Sequence, residues 1–154
     1  QLEHLVSLSL LNCSNDTYNY GQILFVLPKL TRLTLSGYHF IQLSFNLSLT
    51  IASKSNLEYL NISPCSLQCL HHSILRYIPK LKYLNVHIPQ WYSDINDMLP
   101  LPSISTLIYL KLNIRRQLKH NIIRELLTSF VNLKYFSFLA FDVEFMNNRL
   151  WQQY

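Results

Sequence analysis

The sequence predicts an α/β repeat solenoid: a parallel inner sheet with outer helices and irregular arcs, forming a single array of about six units across residues 1–154. Three observations carry this expectation. One apolar phrase occurs six times, as a leucine, two variable residues, a leucine or phenylalanine, one variable residue and another large apolar residue. The copies are Leu5-Leu8-Leu10, Leu30-Leu33-Leu35, Leu57-Leu60-Ile62, Leu81-Leu84-Val86, Leu107-Leu110-Leu112 and Leu133-Phe136-Phe138. Their starts lie 25, 27, 24, 26 and 26 residues apart, a period that stacked units require and a single irregular core does not. Between the phrases, the legible stretches carry helical spacing.

Each phrase supplies one short strand, because residues two apart in an extended chain point the same way and the last two apolar residues of the phrase are so spaced. The chain then returns to the next strand. Leu67, Leu70, Ile74, Leu75 and Ile78 recur at three-to-four spacing, as do Ile122, Ile123, Leu126, Leu127 and Phe130, so both stretches read as helix. Ser66 or Pro64 opens the first, and Pro79 ends it by lacking a backbone donor and restricting Ile78. A shorter helical stretch runs from Gln22 to Leu27, ahead of Pro28. Between Phe40 and Ser55 the alternation of Phe45, Leu47, Leu49 and Ile51 suits a strand, yet the repeat period calls for a helix or irregular arc there, and the period is followed. The segment from Pro89 to Pro102 holds three prolines, Pro89, Pro100 and Pro102, and reads as a loop with at most one helical turn around Asp94 to Leu99.

Composition narrows the class. Hydrophobic residues make up 49% of the 154 and charged residues 14%, which excludes a disordered charged tail. Apolar runs such as Ile23 to Leu27 are far too short to span a bilayer, so no membrane segment is expected. The net charge of +5 suits an acidic partner but is too diffuse for nucleic acid, and no phosphate loop or nucleic-acid module accompanies it. Both ends fall inside repeats, without a leader before Gln1 or a polar capping segment after Asp142 to Tyr154, so the chain reads as a fragment of a longer protein.

Placing the leucines inward leaves the variable residues as columns on the other face of the sheet. The first reads Ser7, Arg32, Tyr59, Tyr83, Tyr109, Tyr135; the second Ser9, Thr34, Asn61, Asn85, Lys111, Ser137; the third Leu11, Ser36, Ser63, His87, Asn113, Leu139. Tyrosines offer a partner large contact area at modest entropic cost, and flanking amides and hydroxyls satisfy its polar groups. The expected protein-binding residues on this concave face are therefore Tyr59, Asn61, Tyr83, Asn85, His87, Tyr109, Lys111, Asn113 and Tyr135. The competing reading is a structural ladder in which neighbouring tyrosines stabilise one another. A basic cluster, Lys111, Arg115, Arg116, Lys119, His120 and Arg124, follows the fifth strand and reads as a solvated rim or a site for an acidic or phosphorylated partner.

Nothing in the sequence suggests chemistry. Cys69 and His72 share a helix face without a second ligand pair, and Cys69 lacks an orienting group or oxyanion site. Asp94 and Asp97 lie in the proline-rich segment with no glycine-containing calcium loop. No metal, cofactor or catalysis is expected. The three cysteines do not form a disulfide framework; Cys13 and Cys65 stand three residues beyond the last apolar residue of their phrases, where a small buried thiol fits. Four N-x-S/T sequons, at Asn12, Asn15, Asn46 and Asn61, support an alternative extracellular or cell-surface placement.

The L-x-x-L-x-L-x-x-C form of Leu5 to Cys13 and Leu57 to Cys65 resembles the leucine-rich repeat superfamily, in particular its cysteine-containing subtype of about 26 residues. That subtype is characteristic of leucine-rich F-box proteins. The run from Tyr77 to Leu84, together with Leu57 to Leu60 and Asn148 to Gln153, looks like the divergent repeat region of F-box-domain proteins expanded in some invertebrates. The resemblance implies a horseshoe that captures the substrate of a ubiquitin ligase in the cytoplasm or nucleus. An upstream F-box, which these residues do not contain, would dock a Skp1-like adaptor. The chain departs from the pattern at Tyr38, Pro89, Arg115 and Phe141, which stand where cysteine is expected, and in the proline-rich insertion before Leu107.

Overall fold

Six phrases of alternating apolar residues should give six strands with one buried face, and they do. The computed structural model of the chain describes residues 2–13, 26–41, 55–66, 69–70, 74–89, 104–115, 124–125 and 127–140. The strands are β1 (Ser7–Cys13), β2 (Arg32–Ile41), β3 (Tyr59–Cys65), β4 (Tyr83–Ile88), β5 (Tyr109–Ile114) and β6 (Tyr135–Ala140). They form one sheet in the order β1-β2-β3-β4-β5-β6, and every neighbouring pair is parallel. Parallel neighbours need a crossover between them, which is what each intervening stretch of the period supplies.

The six phrases lie in one register. Leu8 pairs with Leu33, Leu33 with Leu60, Leu60 with Leu84, Leu84 with Leu110 and Leu110 with Phe136. All the apolar residues of the four inner phrases, from Leu30 to Leu112, are 0–1% exposed, and Ile88 and Ile114 extend the alternation by one more buried position. Burying each such side chain contributes about 1.5–3 kcal/mol, so this stripe dominates the stability of the sheet. The outer phrases differ. Leu5, Leu8 and Leu10 at one end and Leu133, Phe136 and Phe138 at the other are only partly buried, because among the described residues each has a neighbouring strand on one side alone.

The approach to the strands repeats as well. Leu27, Ile78, Ile104 and Phe130 lie three residues before the first leucine of a phrase and are all buried. In three of the four units the first-leucine N–H donates back to this residue's carbonyl: Leu30 to Leu27 at 3.0 Å, Leu81 to Ile78 at 3.3 Å and Leu133 to Phe130 at 3.1 Å. The unit is thus longer than the phrase, with a turn closing on an additional core residue. Proline suits the turns at Pro28 and Pro79 because its fixed φ matches a turn position that gives up no hydrogen bond.

A polar residue precedes each first leucine, and these residues tie turn to turn. Lys29 Nζ lies 2.8 Å from His4 Nδ1, Asn56 donates to the Pro28 carbonyl at 2.8 Å, and Lys80 donates to Asn56 Oδ1 at 2.6 Å. Thr106 Oγ1 stands 2.8 Å from the Pro79 carbonyl and 2.9 Å from that of Leu81, and Asn132 donates to the Ser105 carbonyl at 2.7 Å. Turn carbonyls that no strand reaches find partners here, each bond contributing about 0.5–1.5 kcal/mol net.

Helical structure is sparse among the described residues. The first expected helix shows its two ends. The Ser66 hydroxyl accepts from the Cys69 N–H at 3.0 Å, as an N-cap does, and the Leu70 N–H donates to the Ser66 carbonyl at 3.0 Å. The far end is α1 (Leu75–Tyr77), where the Ile78 N–H reaches the Ile74 carbonyl at 3.2 Å before Pro79. Cys69, Leu70, Ile74, Leu75 and Ile78 are all buried, so this stretch covers the leucine face. The second expected helix has Arg124, Glu125, Leu127 and Thr128 helical, with the Ser129 N–H donating to the Glu125 carbonyl at 3.0 Å. Of the stretch 22–27, Val26 alone is described as helical. The expected arc at 40–55 begins differently, since β2 runs on to Ile41, which pairs with Cys65 across an irregular register. Residues 42–54 of that arc and 90–102 of the proline-rich segment, with Asp94 and Asp97, lie outside the described residues, as do His71 and His72.

Leu84→Ala, in the fully enclosed β4, is expected to cost about 2–5 kcal/mol of unfolding free energy, and Leu8→Ala, in the half-covered β1, distinctly less, as measured by urea denaturation.

Candidate binding face

Alternation puts the residues between the leucines on the opposite face of the sheet, and the register aligns them into the columns expected from the sequence. Ser7, Arg32, Tyr59, Tyr83, Tyr109 and Tyr135 are successive partners, as are Ser9, Thr34, Asn61, Asn85, Lys111 and Ser137. In the third column Ser36 pairs with Ser63, and His87, Asn113 and Leu139 are successive partners. Leu11 departs from it: the register shifts between Leu10 and Cys13, Asn12 takes a φ of 58°, and Leu11 is 70% exposed. All nine residues expected to bind a partner therefore stand together on β3 to β6.

The tyrosines form a continuous row. Ring centroids are 6.2 Å apart from Tyr59 to Tyr83, 5.8 Å from Tyr83 to Tyr109 and 6.4 Å from Tyr109 to Tyr135, with planes inclined at 34–38°. These separations lie within the range of favourable tilted aromatic pairs. The row is not closed to solvent: Tyr83 keeps 43% and Tyr135 63% of its surface exposed, while Tyr59 and Tyr109 are half-buried. Ring-to-ring packing holds the tyrosines in place and leaves their outer surfaces available, so the structural and binding readings of this column are physically compatible.

Behind the tyrosines the polar columns are partly tied together. Asn85 donates to Asn61 Oδ1 at 3.1 Å, and Ser63 Oγ lies 3.1 Å from His87 Nδ1. Ser63 is a partner that sequence reasoning did not single out, although the column it occupies was legible. His87 Nε2 and Asn113 Oδ1 are buried atoms without a hydrogen-bond partner among the described residues, and the two residues are in-register neighbours. Burial, and then the positive charge of Arg115, hold the His87 imidazole below its ordinary value of 6.5, so it is neutral at pH 7. Lys111 and Arg115 are exposed, as is Arg124 from the expected basic cluster; Arg116, Lys119 and His120 lie outside the described residues. At the entry to the row, Glu58 and Lys82 form an ion pair of 2.9 Å with both side chains 44% exposed, worth at most about 1 kcal/mol in water.

The cysteines occupy the opposite layer. Cys65 and Cys69 are buried and not disulfide-bonded. A hydrogen bond with Cys69, together with burial, pushes the Cys65 thiol well above its usual range, so it is protonated and a poor nucleophile at neutral pH. The Cys13 side chain lies outside the described residues. Tyr38, which stands where the repeat pattern would have cysteine, is 84% exposed, so β2 lacks the inward turn that buries Cys65. Among the described residues no group of three or more histidine, cysteine or acidic side chains could hold a metal ion, and no helix is long and apolar enough to cross a membrane.

His87 has a lowered pKa in the folded state, so between that value and 6.5 the unfolded chain binds more protons, and stability falls as the pH is lowered through this window. Urea midpoints measured from pH 8 down to pH 5 are expected to show this loss in the wild-type chain and a shallower one in His87→Gln.

Compared with known protein-family models, curated proteins and solved structures, the chain matches none.

Proposed function

We propose that the chain is a non-catalytic protein-binding module of leucine-rich repeat type, a curved stack whose tyrosine-bearing face captures a protein partner. The observation that carries this reading is the row Tyr59, Tyr83, Tyr109 and Tyr135. Four large amphipathic rings at 5.8–6.4 Å spacing sit on one sheet face, backed by amides and a neutral imidazole, and two of them retain more than two-fifths of their surface for contact. A sheet that needed only cross-strand packing could meet it with β-branched residues; tyrosine adds a hydroxyl at the outer edge and the area typical of binding hot spots.

Within this reading the finer role is substrate capture for an F-box type ubiquitin ligase in the cytoplasm or nucleus. A Skp1-like adaptor would be engaged through an F-box beyond these residues. Its support is the cysteine-ending form of the repeat around Leu57 to Cys65 and the burial of Cys65 as a thiol at the strand end. The extracellular alternative draws on the sequon at Asn12, which is exposed near the end of β1 with a φ of 58° where the pairing with β2 shifts register. The sequon at Asn61 fits glycosylation poorly, since this residue lies inside β3 and accepts a hydrogen bond from Asn85.

Co-purification of partners with the full-length protein from its native cells, repeated with Tyr83→Ala/Tyr109→Ala, tests the reading. The double variant is expected to lose the partner, by roughly 2 kcal/mol or more of binding free energy, with its thermal unfolding nearly unchanged. Unchanged binding with a large loss of stability would leave the row a purely structural ladder. A glycan mass on Asn12 of the native protein would move it to the extracellular alternative.

A further inference from the structure

Two exposed cations stand on the face that carries the tyrosine row. Arg32 occupies the tyrosine column itself, one strand before Tyr59, and Lys111 occupies the next column, beside Tyr109. Both are exposed, and neither takes part in an ion pair among the described residues, where the one salt bridge joins Glu58 to Lys82. Their surroundings on the sheet are neutral. Arg32 is flanked by Ser7 and Tyr59, and Lys111 by Asn85 and Ser137; no carboxylate occurs in any of the three columns. A charge placed among in-register neighbours would ordinarily be matched across strands, since opposite charges there are stabilising. Among the described residues no such match is made on this face, although one is made at the rim.

The spacing is informative. Arg32 is on β2 and Lys111 on β5, three strand steps apart and offset by two residues along the strand, which places their Cα atoms about 16 Å from each other. An extended peptide rises about 3.3 Å per residue, so it covers that distance in four or five residues. A chain lying across the strands from one cation to the other leaves the tyrosine column at Arg32, runs beside Tyr59 and Tyr83 and arrives next to Tyr109.

Resting on the reading of this face as a protein-binding surface, we infer that its partner is an extended acidic segment. Two carboxylates four or five positions apart meet Arg32 and Lys111, and the apolar or prolyl residues between them lie on the tyrosine rings. Arginine offers one carboxylate a two-pronged hydrogen bond and lysine offers the other a point charge, so the two ends differ and the segment has a preferred direction. Prolyl residues suit the middle because they keep the segment extended at low entropic cost and pack on aromatic rings.

The test is selection of short random peptides displayed on phage against this chain, with removal of those that still bind Tyr83→Ala/Tyr109→Ala. The surviving peptides are expected to carry two acidic residues four or five positions apart. Their affinity should fall about tenfold in Lys111→Glu and in Arg32→Glu. Repeating the selection on Lys111→Glu should exchange one acidic position for lysine or arginine, a change that a merely destabilised variant cannot produce. Tyrosine-dependent peptides without acidic preference, with affinity indifferent to both charge reversals, would overturn the inference and leave the binding face standing. Failure to recover any tyrosine-dependent peptide would instead contradict the binding face itself.

Discussion

Ahead of each strand after the first, one carbonyl of the preceding unit accepts two backbone N–H groups at once. The Val6 carbonyl takes those of Thr31 and Arg32, Thr31 those of Glu58 and Tyr59, Glu58 those of Lys82 and Tyr83, Lys82 those of Ile108 and Tyr109, and Ile108 those of Lys134 and Tyr135, all at 2.8–3.1 Å. The five joints recur with the period of the leucine phrase, and each one sets where its strand begins. In a sheet with one buried face this placement decides everything that follows, because a slip of one residue exchanges the two faces completely. Leu60 and Ile62 would turn to solvent, and Tyr59 and Asn61 would be forced into the buried face.

The same joints separate two demands on the sequence. The leucine positions bear the cost of folding, and in β2 to β5 they are sealed from water. Positions between them take tyrosine, asparagine, lysine or histidine, which pack and hydrogen-bond with one another across strands. The turns form a third layer, where residues such as Asn56, Lys80 and Thr106 satisfy carbonyls of neighbouring turns. The leucine face and the turns thus hold the buried core and the turn-to-turn hydrogen bonds, and the tyrosine and polar columns stand on the other face.

Much of this was legible in the sequence because side-chain direction in a strand has a period of two and the phrase has a period of about 26, so the two together specify which residues are neighbours. The column from Tyr59 to Tyr135 followed from counting alone. Other features depend on contacts that counting does not contain. The Ser63 to His87 hydrogen bond needs the depth and rotation of two side chains, and the extension of β2 to Ile41 reflects a local irregularity against Cys65. The buried row Leu27, Ile78, Ile104 and Phe130 belongs to an apolar position three residues before every phrase but the third, where Lys54 stands, and the sequence assigned Ile78 and Phe130 to helices instead of to the turn that closes on the strand. The polar residue before each first leucine was equally visible, and only its hydrogen bonds reveal why it is polar.

Nuclear Overhauser contacts among selectively labelled tyrosine rings test the register most directly. Cross-peaks are expected between Tyr59 and Tyr83, between Tyr83 and Tyr109, and between Tyr109 and Tyr135, whose centroids are 5.8–6.4 Å apart, with none between Tyr59 and Tyr109. Contacts from Tyr83 to the core side chains of Leu60 and Leu110 in place of its two neighbouring tyrosines would place the rings on the other face and contradict the shared register.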